Sequence, residues 1–268
     1  MSVFVQQSGT VCDFSGSDSW VILSPIEQSI KRKIEAVGTP LKDWDINIYR
    51  GVLTGCNEAF IISTEKRDEI LASCQSEDER KRTAELIRPI LRGRDIKRYG
   101  YEWANLWLIN THNGIKGKLE RIHIEDYPAV KAHLDQFWDK IKDRADQGDT
   151  PYNLRNCAYL EDFSKPKLFY ADITQQLSFC LCKDVMFCNN TTYFIVTKDK
   201  ITLEHLNRYL NSQIVDWYYR TLSVQLGENA VRMFSIYVLD IPVPPITEGN
   251  IYDVFGLTSS EISFIESR

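Results

Sequence analysis

Alternating apolar and polar residues, separated by turn-forming residues, recur along much of the chain. The segments KLFYADI, LSFCLC and TYFIVT, at 167–173, 177–182 and 192–197, are typical of β-strands, as is the aromatic run WANLWLIN at 103–110. Around a glycine-rich turn, the alternation in WDINIYRGVLTGCNEAFIIS, residues 44–63, predicts a strand, a loop and a second strand.

Helix signals lie between these strand signals. The clearest helix covers residues 24–38, where Ser24 is a suitable N-cap, Pro25 occupies the first helical position and Glu27 completes a capping box. Further helices are predicted at 64–71, 76–88, 128–145 and 202–219. Because strands and helices mix without a regular strand–helix–strand repeat, we predict an α+β fold of mixed, mainly antiparallel twisted sheets with flanking helices.

The composition indicates a globular protein with no membrane span. Of the 268 residues, 43% are hydrophobic and 26% are charged, and no run approaches the roughly 18 apolar residues that a membrane span needs. The N-terminus lacks a cationic start followed by an apolar run, so we expect no secretory signal and a cytoplasmic location. None of the seven cysteines forms a CxxC pair, and we interpret them as reduced thiols.

The charge is unevenly distributed. Formal net charge is -5, yet the stretch RPILRGRDIKRYGY at 88–101 holds five basic side chains and one acidic one. Glycines interrupt this stretch and tyrosines accompany it, so it differs from an ordinary charged helix face. Arginine-rich loops of this composition suit phosphates or base edges, because the guanidinium presents forked donors.

Catalytic motifs are absent from the sequence. It contains no GxGxxG after a strand, no GxxxxGK[ST], no HExxH and no GxSxG. Asp162 with Lys165 and Lys167 has the residue types of a metal-dependent nuclease in an unsuitable order. We therefore expect no catalytic residue and no bound metal or cofactor in this chain.

Several stretches together resemble a known family. They are RGVLTGCNEAFII at 50–62, LIRPILRGRDIKRYGY at 86–101, KPKLFYADI at 165–173, FCNNTTYFI at 187–195, and the ending LNRYLNSQIVDWYY with YVLDIPVPPI. In this order they resemble the TaqI-like specificity domain. That domain is the C-terminal target-recognition region of adenine-specific DNA methyltransferases and of fused type IIG restriction-modification enzymes. The likeness covers roughly residues 41 to 246.

The resemblance implies recognition of duplex DNA without catalysis. The family's [ND]PP[YF] motif and methyl-donor motif are missing, since the one double proline, Pro244–Pro245, lies in PVPPI. S-adenosylmethionine, and possibly Mg²⁺, would then be bound by an N-terminal methyltransferase domain or subunit of the parent enzyme. We expect a linker and helix from that partner at 1–40, the DNA target-recognition domain at 41–246 and a tail at 247–268.

Candidate DNA contacts follow from the resemblance and from residue chemistry. Arg92, Arg94, Lys97 and Arg98 would face phosphates or guanine edges, although Arg92 and Arg94 could instead form an ion pair with Asp95 or with the Glu-rich helix before them. The other candidates are less specific, because β-turns use the same residue types: Arg50, Thr54, Asn57, Lys165, Lys167, Asn189 and Asn190.

Two other functions compete with DNA recognition. A protein-interaction or regulatory module could dock its basic segment on an acidic partner, and a cryptic nuclease would cut DNA. Binding to duplex DNA that weakens steeply with salt distinguishes DNA recognition from protein docking, because neutralised phosphates release counterions. Magnesium-dependent cutting would identify the nuclease.

Overall fold

A computed structural model of the chain describes residues 23–223, 225–227, 229–246 and 249–268. The described helices are α1 Pro25–Val37, α2 Asn57–Phe60, α3 Thr64–Ala72, α4 Glu77–Leu86, α5 Pro128–Asp135, α6 Trp138–Ile141, α7 Lys200–Leu210, α8 Gln213–Leu222, α9 Ser235–Val238, α10 Ile251–Val254 and α11 Ser259–Glu266. Short 3-10 turns occur at Leu41–Asp43, Gly93–Asp95, Ile124–Asp126 and Leu160–Ser164. In these ranges no helix is long and apolar enough to cross a membrane.

The strands form small, mostly antiparallel sheets. They are β1 Thr39–Pro40, β2 Asn47–Arg50, β3 Ile61–Ser63, β4 Ile87–Leu91, β5 Ile96–Lys97, β6 Gly100–Tyr101, β7 Leu106–Ile109, β8 Lys167–Ala171, β9 Ile173–Thr174, β10 Phe179–Cys182, β11 Phe187–Cys188, β12 Thr192–Val196, β13 Gln225–Leu226, β14 Ala230–Arg232 and β15 Pro242–Val243. The two four-stranded sheets have the orders β10-β8-β12-β2 and β11-β4-β7-β3. Only the β11–β4 pairing among them is parallel. The predicted α+β class with mainly antiparallel sheets is confirmed.

The sheet β10-β8-β12-β2 separates two hydrophobic cores. Along β12, Phe194 and Val196 point into the first core, whereas Tyr193 and Ile195 point into the second. The neighbouring strand β8 alternates in the same way, because successive side chains of a strand project to opposite faces. Helices α3 to α5 contribute to the first core, and α1, α7, α8 and α11 to the second.

Local sequence signals located several elements correctly. Helix α1 begins where predicted, with Ser24 and Glu27 forming both hydrogen bonds of the capping box. The strands predicted from WANLWLIN and from KLFYADI, LSFCLC and TYFIVT are confirmed as β7, β8, β10 and β12.

The structure departs from the sequence prediction in other elements. The helix predicted at 128–145 is divided into α5 and α6 and ends at Ile141. The segment 88–101 was predicted to be a loop, but residues 88–91 belong to strand β4, in which Pro89 lies opposite Trp107 of β7. The helix predicted at 202–219 is divided into α7 and α8 around Asn211. The Asn211 side chain accepts a hydrogen bond from the Phe179 N–H at 2.9 Å and donates one to the Phe179 carbonyl at 2.9 Å, so it bonds to β10 at the helix break.

The hydrophobic packing of the second core extends beyond the predicted domain boundaries at residues 40 and 246. Ile30 and Ile34 of α1 are fully buried in the second core, as is Ile265 of α11. Ser29 Oγ and Lys33 Nζ of α1 each donate to the Glu261 carboxylate of α11 at 2.7 Å. Both ends of the described chain therefore pack against the same core as the segment between them, while residues 1–22 lie outside the described residues.

Candidate nucleic-acid interface

Three separate turns meet at one end of the sheet β10-β8-β12-β2. They follow β2, follow β4 and precede β12. The N–H of Val52 donates to the Cys188 carbonyl at 2.7 Å, and the N–H of Gly93 donates to Thr191 Oγ1 at 3.0 Å. A Cβ atom at Gly51 would lie 2.0 Å from the Asn189 carbonyl oxygen, and one at Gly93 would lie 2.7 Å from that of Thr191. Only glycine permits these approaches, so the turn at 189–191 is held between the other two.

We define the turn surface as the side chains of Arg50, Arg94, Asn190 and Thr191 at this junction. Arg50, Arg94 and Thr191 are exposed, and Asn190 is half-buried. The four residues come from segments far apart in sequence, and the backbone contacts between the turns fix their relative positions. This surface combines guanidinium groups with short polar side chains, which are the residue types that bind phosphates and base edges.

Arg50 is held by its Nε and leaves its terminal donors open. Nε donates to the Asn190 carbonyl at 2.9 Å, and the guanidinium lies 5.9 Å from the centre of the Tyr193 ring. The Tyr159 hydroxyl donates to the Arg50 carbonyl at 2.9 Å, which fixes the backbone as well. Across the described ranges the Nη groups of Arg50 have no protein partner, so they are free to bind an external acceptor.

Arg92 and Arg94 have opposite environments. Arg92 donates from Nε and Nη2 to the two carboxylate oxygens of Asp95, at 3.0 and 2.8 Å, and the Asp95 side chain is 5% exposed. Arg94 lies between them in the 3-10 turn, is exposed, and forms no ion pair with any described residue. The internal ion pair considered for this stretch is therefore made by Arg92 and not by Arg94.

The β5–β6 hairpin holds the remaining cations of the basic stretch. Lys97 Nζ donates to the Arg94 carbonyl at 3.2 Å and lies 3.6 Å from the Glu102 carboxylate. Arg98 donates instead to the Asn211 carbonyl and lies over the Tyr99 ring. Lys97 thus adjoins the turn surface, whereas Arg98 is directed toward the α7–α8 junction.

Thr54 and Asn57 belong to the segment between β2 and β3. The buried side chain of Arg144 holds this segment from the protein interior. Thr54 is buried and donates from Oγ1 to Asn57 Oδ1 at 2.6 Å, while Asn57 is exposed. Arg144 is 7% exposed, donates from Nε to the Thr54 carbonyl at 2.8 Å and packs its guanidinium 4.6 Å from the Phe60 ring. Its remaining donors reach the carbonyls of Ile141, Pro151 and Asn153. Of the two predicted contacts, only Asn57 presents its side chain to solvent.

Lys165 and Lys167 differ although they are two residues apart. Lys165 is exposed and pairs with Asp162. Lys167 is fully buried, and its Nζ donates to the carbonyls of Phe163 and Lys165 at 2.8 Å and of Asp184 at 3.0 Å. Burial lowers the pKa of Lys167. Lys167 therefore supports the fold, and its ammonium is not exposed to an external phosphate.

Asn189 and Asn190 shape the central turn in different ways. Asn189 is buried, and its Oδ1 accepts hydrogen bonds from the Thr191 N–H at 3.2 Å and from Thr191 Oγ1 at 2.7 Å. This arrangement is a side-chain turn that satisfies the amide oxygen internally. Asn190 contributes its carbonyl to Arg50 and keeps its side chain at the surface.

Sequence reasoning did not place Thr191 or Arg155 among the candidate DNA contacts. Thr191 follows the two asparagines and bonds to Gly93, a contact between residues 98 positions apart that no local pattern encodes. Arg155 lines a cavity of about 320 Å³ together with Arg50 and Tyr159. Its signal is weak, because one arginine in the polar connection at 148–158 has no distinctive neighbours.

The histidines show no common site. Burial lowers the pKa of His112, His133 and His205, so these rings are neutral near pH 7. His133 Nε2 lies 3.0 Å from the Ala59 carbonyl and His205 Nε2 lies 3.2 Å from the Pro244 carbonyl. Among the residues that the model describes, no group of three or more His, Cys, Asp or Glu side chains is placed to hold a metal ion.

A family model covers more than half of the chain. Residues 88–243 match the TaqI-like C-terminal specificity domain, and the chain belongs to that family. This match includes Arg92, Arg94, Asn190 and Thr191 but begins after Arg50. The family name places the chain among the specificity domains of restriction-modification enzymes.

Relatives and solved structures extend the likeness. The chain is 23% identical over 233 residues to the type II methyltransferase M.PaeR7I of Pseudomonas aeruginosa, covering 86% of this chain and 38% of that protein. Its fold is similar to the type IIL restriction-modification enzyme MmeI in complex with DNA, with a TM-score of 0.53, 14% identity and coverage of 86% of this chain and 28% of that one. The type IIG restriction endonuclease BpuSI gives a TM-score of 0.50, 13% identity and coverage of 90% and 27%. The chain thus spans much less than half of each of these proteins.

Proposed function

We propose that this chain is a sequence-specific recognition module for duplex DNA in a restriction-modification system. The observation that carries the proposal is the turn surface, where the free guanidinium donors of Arg50 and Arg94 stand beside the polar groups of Asn190 and Thr191. Membership of the TaqI-like specificity family supports this assignment.

The chemistry of the turn surface suits a DNA groove. An arginine fork can bind two acceptors of guanine or two oxygens of a phosphate, and short amide or hydroxyl side chains can reach base edges. The glycine contacts hold the three turns in a fixed relation, so the donors are arranged before DNA arrives. We assign base reading to Arg94 and phosphate contact to Lys97, because a planar fork matches a base edge and an ammonium acts as a point charge.

We assign the chemical reaction to another domain, a methyltransferase that modifies adenine with S-adenosylmethionine. The residues around Pro244–Pro245 do not fit the [ND]PP[YF] motif: Val243 precedes the pair in strand β15, and the Pro244 carbonyl accepts from His205 Nε2. In such an enzyme the methyltransferase domain would form the second wall of the DNA cleft. We therefore expect this chain to bind DNA weakly on its own and more tightly with that domain present.

Selection from a random duplex pool tests the proposal. The 268-residue chain, alone and mixed with the methyltransferase domain of the M.PaeR7I type, is used to enrich duplexes, whose affinity is then compared with that of scrambled duplexes. Between about 50 and 200 mM salt, affinity should fall steeply as counterions are released. Equal affinity for enriched and scrambled duplexes would contradict sequence-specific recognition. Saturable binding of S-adenosylmethionine to this chain in calorimetry would contradict the assignment of the reaction to another domain.

A further inference from the structure

A second basic hairpin lies beside the connection at 148–158. We define the lysine hairpin as residues 114–121; its bridge joins Ile115 to Leu119, with the Ile115 N–H donating to the Leu119 carbonyl at 2.8 Å. Gly114 and Gly117 adopt φ values of 73° and 75°, which favour glycine. A Cβ atom at Gly117 would meet nothing within 4 Å, so the hairpin tip is open to solvent.

The lysine hairpin has a firmly held base. Asn113 Nδ2 donates to Asp149 Oδ1 at 3.0 Å and to Asn156 Oδ1 at 2.6 Å, and its Oδ1 accepts from the Asp149 N–H at 2.9 Å. The Ile122 N–H donates to the His112 carbonyl at 3.0 Å. These bonds on both sides of the hairpin fix where its tip stands.

The cations of this hairpin differ in how they are neutralised. Lys118 pairs with Glu161 at 2.6 Å, and Arg121 lies 3.7 Å from Asp149. Lys116, next to the open Gly117, is exposed and has no carboxylate partner among the described residues. The charge of the Lys116 ammonium is therefore available for an external anion to neutralise.

Two neighbouring cavities, which we together call the groove, lie between the lysine hairpin and the turn surface. The cavity beside the hairpin, of about 610 Å³, shares Asn156 and Cys157 with the cavity of about 320 Å³ beside Arg50. The joint lining contains four cationic side chains and one carboxylate: Arg50, Lys116, Arg121 and Arg155 with Asp149. Burial raises the pKa of Cys157 to about 11, so its thiol adds no negative charge near neutral pH. Arg121 pairs with Asp149 and Arg155 with Asp146, so the excess positive charge of the groove comes from Arg50 and Lys116.

We propose that the lysine hairpin is a second DNA-contacting element, which binds phosphates of the duplex beyond the base pairs read at the turn surface. This proposal rests on the proposed function, because the groove adjoins the turn surface to which DNA reading is assigned. A duplex suits the groove because its phosphates form an extended row of negative charges, which the unpaired cations beside the groove can neutralise. Lys116 is the principal contact, since its ammonium has no carboxylate partner in the described part of the chain.

The test compares Lys116→Ala with Lys81→Ala and Arg94→Ala in the full chain. Lys81 is an exposed lysine of α4 that lines neither cavity, which makes it the matched control. Lys116→Ala should weaken binding about equally for enriched and scrambled duplexes and lower the salt slope by about 1. In addition, lengthening the DNA on either side of the enriched site should improve binding by the wild type more than by Lys116→Ala.

The outcomes separate the two proposals. If Lys116→Ala matches Lys81→Ala in affinity, salt slope and dependence on duplex length while Arg94→Ala loses affinity, the hairpin assignment is overturned and the proposed function stands. If Arg94→Ala and Lys116→Ala both bind the enriched duplex as the wild type does, neither the turn surface nor the hairpin is a DNA contact. If the wild type binds enriched and scrambled duplexes equally, the proposed function itself fails. Thermal melting of each variant shows that loss of binding is measured on folded protein.

Discussion

The chain uses its cations in two contrasting places, in the protein interior and on the turn surface. Lys167 and Arg144 are buried, and their donors are satisfied by backbone carbonyls, with no carboxylate partner among the described residues. Arg50 and Arg94 are exposed and keep donors free. The difference teaches that a basic side chain near a binding surface can either shape the loops or contact the ligand, and that its burial decides which.

Buried cations are costly, because a charge removed from water loses its hydration. Lys167 offsets this loss with three carbonyl acceptors from separate positions, so it joins the Leu160–Ser164 turn to the connection between β10 and β11. Arg144 joins the loop after β2 to the connection after α6 in the same manner. Both side chains act as internal cross-links, and their removal should be visible as lost stability.

Lys167→Ala should produce the largest effect on folding. The change leaves three carbonyls without their donor and opens a cavity under β8, so the free energy of unfolding should fall by about 3–4 kcal/mol. Lys165→Ala is the matched control, because that exposed lysine should alter stability by no more than about 0.5 kcal/mol. Urea titration of both variants checks this; a similar loss in both would remove the contrast between the two lysines.

Arg144→Ala should destabilise the chain by about 2–3 kcal/mol. The buried guanidinium bonds four carbonyls and packs on Phe60, so its loss should also speed hydrogen exchange in the loop at 51–57. Arg155→Ala, which removes an exposed arginine paired with Asp146, serves as the comparison. Unchanged exchange at 51–57 in Arg144→Ala would contradict the role of Arg144 in fixing that loop.

Arg94→Ala should affect DNA binding and leave melting unchanged. If Arg94 reads guanine through its fork, the variant should lose about 1–3 kcal/mol of binding free energy for the enriched duplex and relax specificity at one base pair. Lys97→Ala should instead weaken binding evenly and lower the salt slope by about 1. Affinity and melting temperature measured for both variants decide the roles; undiminished affinity in both folded proteins would remove the turn surface from the DNA interface.

Arg92→Ala should give the smallest effect, in stability rather than in binding. Loss of the paired donors to Asp95 should cost about 1–2 kcal/mol, since hydrogen bonds between charged groups are lost at a largely buried carboxylate. The salt slope of DNA binding should remain that of the wild type. A lowered salt slope would show that Arg92 contacts phosphate, as proposed for the exposed cations, and would contradict the contrast between Arg92 and Arg94.

Local signals predicted those parts of the fold that local contacts create. The cap at Ser24 and Glu27 lies within one helical turn, so sequence alone located the start of α1. The break at Asn211 depends on hydrogen bonds to Phe179, and Pro89 was accommodated in β4 because β7 and β11 pair beside it. Contacts of this range leave no local pattern in the chain.

The candidate site shows the same limit. Residue types and glycine spacing pointed to the stretch 88–101, but they could not show that Arg92 is paired internally while Arg94 is open. The position of Arg94 depends on Gly93 bonding to Thr191, which lies in a different part of the sequence. Lys167 was misleading for a related reason, because a lysine at the start of a strand is usually exposed and this one is covered by carbonyls from two connections.

The sheet β10-β8-β12-β2 is shared by the two hydrophobic cores and couples their stability. Since neighbouring residues of β12 and of β8 serve opposite cores, neither core can melt without exposing the backs of the same strands. Stability lost on one side is therefore transmitted to the other, and the chain should unfold in a single cooperative step. The amides of β8 and β12 should then be the last to exchange with solvent, and the turn surface, which lies at one end of these strands, inherits the rigidity of both halves.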